Sequence, residues 1–159
     1  MNPVIEALMF RHACKVFDPQ RKISREHLDI ILEAAHLSPS SFGLEAWKFI
    51  VIQSDPAKQE LRPACWNQPQ ITGASHVIVI CAKPFVADPS NDYILNNFLR
   101  RGLPEDATMA YIERYKQHME TEVFPRMSAY AWCSKQCYIA LANIMIIIGL
   151  TSWMGVARL

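Results

Sequence analysis

This 159-residue chain has no paired short-spaced cysteines, no surplus of either charge, no Gly-x-Gly-x-x-Gly segment and no membrane-length apolar run. Its five cysteines are Cys14, Cys65, Cys81, Cys133 and Cys137. An odd count without short pairs argues against a disulfide framework and for reduced thiols in a cytoplasmic protein. Cys133 and Cys137 stand four apart on one helix face, which is neither a redox Cys-x-x-Cys nor a zinc pattern, so no metal is expected. Sixteen basic and fifteen acidic residues leave a net charge of +1, and no basic run reaches five. Nothing there calls for nucleic acid or an anionic membrane as partner. The longest apolar run, 138–150, contains Asn143 and falls short of the roughly 18–20 residues that a span requires. The first nine residues are too few for a signal peptide and carry Glu6. Repeats and low-complexity segments are lacking too. What remains is a single domain, 1–159, long enough to bury roughly two thirds of its unfolded surface without a staple.

Local signals order the chain. Asn2-Pro3 reads as N-cap and first helical position, with Val4, Ile5, Leu8 and Met9 at helical spacing behind it. Arg11 to Lys15 then fall at that helix's C-terminal end. Ser24 caps a second helix, which Pro39 ends near Leu37. The stretches 47–53 and 76–82 read as strands, the second fully buried. Asp55-Pro56 opens a short helix to about Leu61, and 83–90 is a loop. Helices are expected at 91–101 and 105–120, and a last, longest one from Pro125 to about Gly149. Beyond Ser134 that helix is apolar on nearly every face, as a central or intersubunit helix is. The order of elements points to an α+β or three-layer α/β architecture. Two strands make a marginal sheet, so the sheet reads as incomplete.

Two segments carry the chemistry. Arg11-His12-Ala13-Cys14-Lys15 crowds three potentially cationic side chains into one short stretch. Ser38-Pro39-Ser40-Ser41-Phe42-Gly43 is a tight hydroxyl- and amide-rich loop between helix and strand. Together they suit a phosphorylated, ring-bearing cofactor: cations for the phosphate, hydroxyls and backbone N–H groups for the ring's polar edge. Simpler readings stand beside this one. The cations compensate a helix dipole, and the loop is an ordinary connection. Arg100-Arg101 is most simply surface charge, or else steers the phosphates of NAD(P)H. His36 and His76 read as structural and His118 as solvated. Cys14 is a small thiol that its basic neighbours could activate.

The order of segments resembles the FMN-dependent nitroreductase family. Arg11 to Asp18 looks like that family's N-terminal Arg-His-Ser-x-Lys-x-Phe-Asp motif. Leu37 to Ser41, followed by Ala46 to Val51, resembles its Ser-Pro-Ser-Ser-x-Asn-x-Gln-Pro-Trp-x-Phe block. Asn67 looks like the Asn preceding the buried strand, and 132–150 like the long central helix. The resemblance covers essentially the whole chain. It implies an α+β, nitroreductase-like three-layer α/β/α fold with a mainly antiparallel sheet and a long central helix. It further implies a homodimer with FMN at the subunit interface. NAD(P)H would reduce the flavin at N5, and nitroaromatic, quinone or similar acceptors would take the electrons in a second half-reaction. The chemistry is the cofactor's, so no catalytic side chain is named.

Carried over by position, Arg11 and Lys15 would neutralise the FMN phosphate, and His12 would lie on the ribityl-phosphate side. Ala13 stands where Ser is usual. Pro39, Ser40 and Ser41 would contact flavin from the other subunit, Gly43 stands where the family has Asn, and Asn67 would bind the ring's polar edge. Gln70 stands where a cation often serves the pyrimidine end, which would lower the flavin's potential. After Leu150 the family continues where this chain stops at Leu159, so a C-terminally truncated domain is expected. The alternative is a non-catalytic dimerising fragment with weak or no flavin binding.

Overall fold

A computed structural model describes residues 2–151 and 157–158. The first helix, α1 (Pro3–Phe10), begins as its sequence dictates: the Asn2 side chain accepts from the Val4 amide at 2.9 Å, with Pro3 at the first position. It ends sooner than the apolar spacing predicts. Arg11 is extended (ψ 122°), so the segment 11–15 leaves the helix instead of forming its last turn. The His12 ring lies 3.0 Å from the Phe10 carbonyl, giving that freed acceptor a partner. Dipole compensation therefore does not account for Lys15. The chain continues as β1 (Val16–Phe17), which pairs antiparallel with β4 (Ala157–Arg158) in the register Val16 to Arg158 and Phe17 to Ala157. Two-residue strands carry no period-2 signal, and neither was expected from the sequence. Residues 152–156 and 159 of the tail discussed above lie outside the described residues.

The second helix, α2 (Arg25–His36), is capped by Ser24, whose hydroxyl accepts from the His27 amide at 3.3 Å. It buries Leu28, Ile31 and Ala35, spaced i, i+3, i+7. There follow β2 (Trp47–Ile52), α3 (Asp55–Leu61), a 3₁₀ turn (Arg62–Cys65), α4 (Pro69–Gly73) and β3 (Val77–Ala82), which pairs with β2. After a 3₁₀ turn (Pro84–Ala87) come α5 (Asp92–Leu99) and α6 (Glu105–His118), which runs into one π turn (Met119–Val123). The final helix, α7 (Ala129–Leu150), starts later than Pro125. Ser128 is its cap, accepting from the Ala131 amide at 3.1 Å, and Pro125 sits in the turn before it.

The chain forms two compact units. One takes Met1–Ser38, Phe49–Val79 and Ala140–Leu159, and the other Pro39–Lys48 and Ile80–Ile139. In the first, Ala7 of α1 packs against Gly149, where a Cβ would stand 2.9 Å from the Ala7 carbonyl oxygen. Only glycine allows that approach. Lys58 is fully buried, its ammonium held by the Ala74 carbonyl (3.0 Å) and Asp55 (2.8 Å), as a buried cation requires. Ser75 receives the Ile23 amide at 3.0 Å and sits 3.0 Å from Nδ1 of His76. In the second unit the core gathers Leu44, Phe98, Tyr115, Met119 and Trp132. The Tyr115 hydroxyl donates to the Ala87 carbonyl at 3.0 Å, and burial raises its pKa. Burial also pushes the Cys133 thiol up to about 11, so it is a protonated core residue.

Candidate functional site

The loop after α2 is the most elaborately fixed segment. Ser38 donates to the Ala34 carbonyl (3.1 Å) and accepts from Asn143 of α7 (2.8 Å). In the other unit, the Ser41 amide donates to Gln136 (3.0 Å). A 3₁₀ turn (Ser41–Gly43) closes with Gly43 N–H to Ser40 O at 2.8 Å and Leu44 N–H to Ser41 O at 3.3 Å. The Glu45 amide donates to the Ser40 hydroxyl at 2.9 Å, and the Trp47 amide to the Glu45 carbonyl at 2.6 Å. The amides of Ser41, Gly43, Leu44 and Glu45, expected to face a cofactor, are thus committed to the loop itself and to Gln136 of α7. What Pro39 and Ser41 present outward is a ring and a hydroxyl.

This compactness strains the backbone. Phe42, Gly43 and Glu45 all have positive φ, at 55°, 61° and 50°. The two non-glycine residues cost of order 1–3 kcal/mol each. Side chains at and just beyond α5 hold them. The carbonyls of Phe42, Gly43 and Leu44 accept from Arg101, Asn97 (3.3 Å) and Tyr93 (2.9 Å). Arg100 pairs with Glu45 at 2.7 Å. Arg101 also donates to Asn97 at 3.2 Å and lies over the rings of Phe98 (4.4 Å) and Tyr111 (5.4 Å). The arginine pair is therefore committed to the fold.

In the first unit, Arg11, His12, Ala13 and Lys15 are exposed, and neither Arg11 nor Lys15 has a side-chain partner among the described residues. Cys14 is tied locally, its thiol 3.1 Å from the Val16 carbonyl. β1, which Lys15 enters, packs against α4, which carries Gln70. The structure thus sets Phe17, just after the 11–15 segment, beside Gly73 of the helix that carries Gln70, while Pro39, Ser40, Ser41 and Gly43 belong to the other unit. Asn67 is exposed, its carbonyl accepting from Nε of Arg62 at 2.9 Å. Trp66 and Asn67 are both left-handed (φ 54° and 56°), and the Trp66 indole is 88% exposed. Oε1 of Gln70 is buried without a hydrogen-bond partner, the one such side-chain atom found among the described residues. Strained backbone and orphaned buried acceptors are both features that cluster at functional sites. No group of histidine, cysteine and carboxylate side chains among the described residues could hold a metal.

The Nitroreductase family profile matches residues 8–151. This chain belongs to the nitroreductase family. Two curated relatives carry the name putative NAD(P)H nitroreductase. YfkO of Bacillus subtilis is 37% identical over 148 residues, covering 89% of this chain and 67% of that protein. SERP2086 of Staphylococcus epidermidis is 40% identical over 148 residues, covering 89% and 66%. The chain thus spans about two thirds of the length of these relatives. Among solved structures, a nitroreductase-like protein from Streptococcus mutans superposes with a TM-score of 0.81 at 20% identity, over 95% of this chain and 72% of that one. A protein described as a putative nitroreductase in complex with FMN, from Exiguobacterium sibiricum, gives 0.74 at 24%, over 92% and 70%. These likenesses establish the nitroreductase-like α+β fold.

Sequence reasoning missed the nitroreductase loop's anchors. Gln136 and Asn143 are carboxamides in a largely apolar helix, and a buried carboxamide there demands a partner. That signal was available. Tyr93, Asn97 and Arg101 follow at i, i+4 and i+8 along α5 and its C-terminal extension, a spacing legible only once the loop is known to lie against them.

Proposed function

We propose that this chain is the FMN-holding part of an NAD(P)H-dependent oxidoreductase. It would pass electrons to nitroaromatic, quinone or similar small acceptors in two half-reactions, as a cytoplasmic homodimer with its site at the subunit interface. The observation that carries the reading is Gln70 Oε1, a buried acceptor with no donor among the described residues. The imide N–H of a flavin ring is such a donor. Family membership, the reductant in the relatives' names and the FMN bound by one structural neighbour support it.

The remaining residues fit the group. Arg11 and Lys15 are exposed cations without a side-chain partner among the described residues, matched to a phosphate dianion. His12 would border the phosphate, its Nδ1 already engaged by the Phe10 carbonyl, and Ala13 adds no hydroxyl. The exposed Asn67 carboxamide would meet the ring's polar edge beside Gln70. Pro39, Ser40 and Ser41 would face the partner's flavin from their hydrogen-bonded loop, where Gly43 would offer backbone only. FMN, once bound, supplies the hydride-accepting ring. The protein's part is to neutralise, orient and exclude water, and no side chain is needed as nucleophile or general acid. Exposed apolar side chains on α7, including Tyr130 and Ile139, support pairing with a second copy. By length and composition alone α7 could also cross a membrane, but its Gln136 and Asn143 are bonded to the loop segment, which favours a packed helix.

The test is the visible spectrum of the gently purified protein, with released flavin quantified per chain. Near one FMN per chain, bleached by NADPH or NADH, supports the reading. No uptake with excess FMN refutes it and leaves a domain that pairs without cofactor.

A further inference from the structure

The carbonyls of three consecutive residues, Phe42, Gly43 and Leu44, are collected by Arg101, Asn97 and Tyr93 along one line of α5 and the turn just beyond it. Those carbonyls need donors because positive φ at Phe42, Gly43 and Glu45 turns them away from any ladder. Arg101 does the most. Its guanidinium reaches Phe42 and Asn97 together and is stacked on Phe98 and Tyr111, a geometry that a planar fork can adopt and an ammonium cannot. It also depends on Gly43. A Cβ at that position would stand 3.1 Å from Nη2 of Arg101. Glycine at 43 and arginine at 101 are therefore one device: the missing side chain makes the space that the guanidinium fills.

We propose that Arg101 is a positioning residue that closes over Gly43 and locks the 40–45 loop in the left-handed conformation presenting Ser40 and Ser41 to the cofactor. The cofactor's part in this rests on the function proposed above, whereas the lock itself does not.

Amide hydrogen exchange of the flavin-free protein tests the lock directly. In Arg101→Ala, the amides of Gly43, Leu44 and Glu45 should exchange at least about tenfold faster, the loss expected for one charge-assisted hydrogen bond, with α6 unchanged. Methylguanidinium should slow them again, which general structural damage would not allow. Arg101→Lys should exchange nearly as fast as Arg101→Ala, and Gly43→Asn should reproduce the loosening. Unchanged loop exchange, or none restored by methylguanidinium, overturns the lock. FMN titration of both proteins then separates the two readings. Wild-type protein that takes no FMN refutes the cofactor assignment while exchange still judges the lock. Wild type that binds FMN should lose about tenfold in affinity on Arg101→Ala and regain it with methylguanidinium. Equal affinities in the two proteins overturn the positioning role.

Discussion

Replacing Gln70 by Met should stabilise the flavin-free protein and weaken its hold on flavin. A buried carbonyl oxygen without a donor costs about 1–3 kcal/mol. Because Gln70 as a whole is only half-buried and Oε1 alone is sequestered, the low end, about 1 kcal/mol, applies. Met has nearly the volume of Gln and a similar helix propensity, so neither a cavity nor a helix penalty offsets that gain. For a chain of this size, about 1 kcal/mol raises the melting temperature by roughly 2–4 °C. In the bound state the sign reverses, because the ring N–H then loses its acceptor. A loss of about 1.4 kcal/mol there is tenfold in affinity. Differential scanning fluorimetry on flavin-free protein and fluorescence titration with FMN read the two effects separately. A lower melting temperature in Gln70→Met would mean that the oxygen has a partner in solution. A raised melting temperature with unchanged FMN affinity would mean that the ring lies elsewhere.

Four other outcomes are expected. Arg11→Ala combined with Lys15→Ala should reduce FMN affinity by about a hundredfold or more, since two charge-assisted contacts to the phosphate vanish; equilibrium dialysis measures it, and unchanged affinity removes the phosphate assignment. Gln70→Lys should raise the flavin midpoint potential, because a cation favours the reduced, anionic ring; a shift downward in spectroelectrochemistry contradicts that placement. The His76 pKa lies below its ordinary value, through burial first and then the charges of Lys58 and Lys22. The unfolded chain therefore binds the proton more readily, so this stability is present above about pH 6.5 and fades as pH falls. Urea midpoints at pH 7.5 and 5.5 should differ more in wild type than in His76→Gln. Gly149→Val should cost about 1–3 kcal/mol in urea unfolding, because its Cβ meets the Ala7 backbone oxygen at 2.9 Å and a backbone atom has nowhere to go.

What the sequence made legible were features with a local cause. Asn2 and Ser24 announce helix starts because their side chains satisfy amides within three residues. Trp47–Ile52 and Val77–Ala82 announce strands by composition. What stayed hidden had a distant cause. The 11–15 segment left the helix through the backbone of Arg11, which no apolar spacing records. Pro125 looked like a helix start, yet the π turn after α6 carried the chain on to Ser128 before α7 began. The candidate site divides in the same way. Its cations, hydroxyls and carboxamides could be read from residue types. Its rigidity could not, because Arg100 and Arg101 bond residues more than fifty positions upstream. The orphaned oxygen of Gln70 is a property of packing alone.

The long helix shows why its periodicity was weak while its burial is not. Along its first half, Trp132, Cys133, Gln136 and Ala140 are buried, following i, i+1, i+4 and i+8. Away from that stripe Tyr130, Tyr138 and Ile139 are exposed, Tyr138 to 71% in the single chain. A helix that faced water there would gain by placing charge, yet Lys135 is the one exposed charge on this helix and its other exposed positions are aromatic or aliphatic. Two apolar faces cancel each other's moment, so the sequence reads as apolar all round. One face has its partner within the chain. Under the proposed function the exposed side chains meet a second copy, which offers a surface of the same character by symmetry. If sedimentation at micromolar concentration shows only monomer, and Tyr138→Lys changes neither that state nor solubility, the exposed face is not an interface. Under the proposed function the flavin would then have to be held by residues of one chain alone.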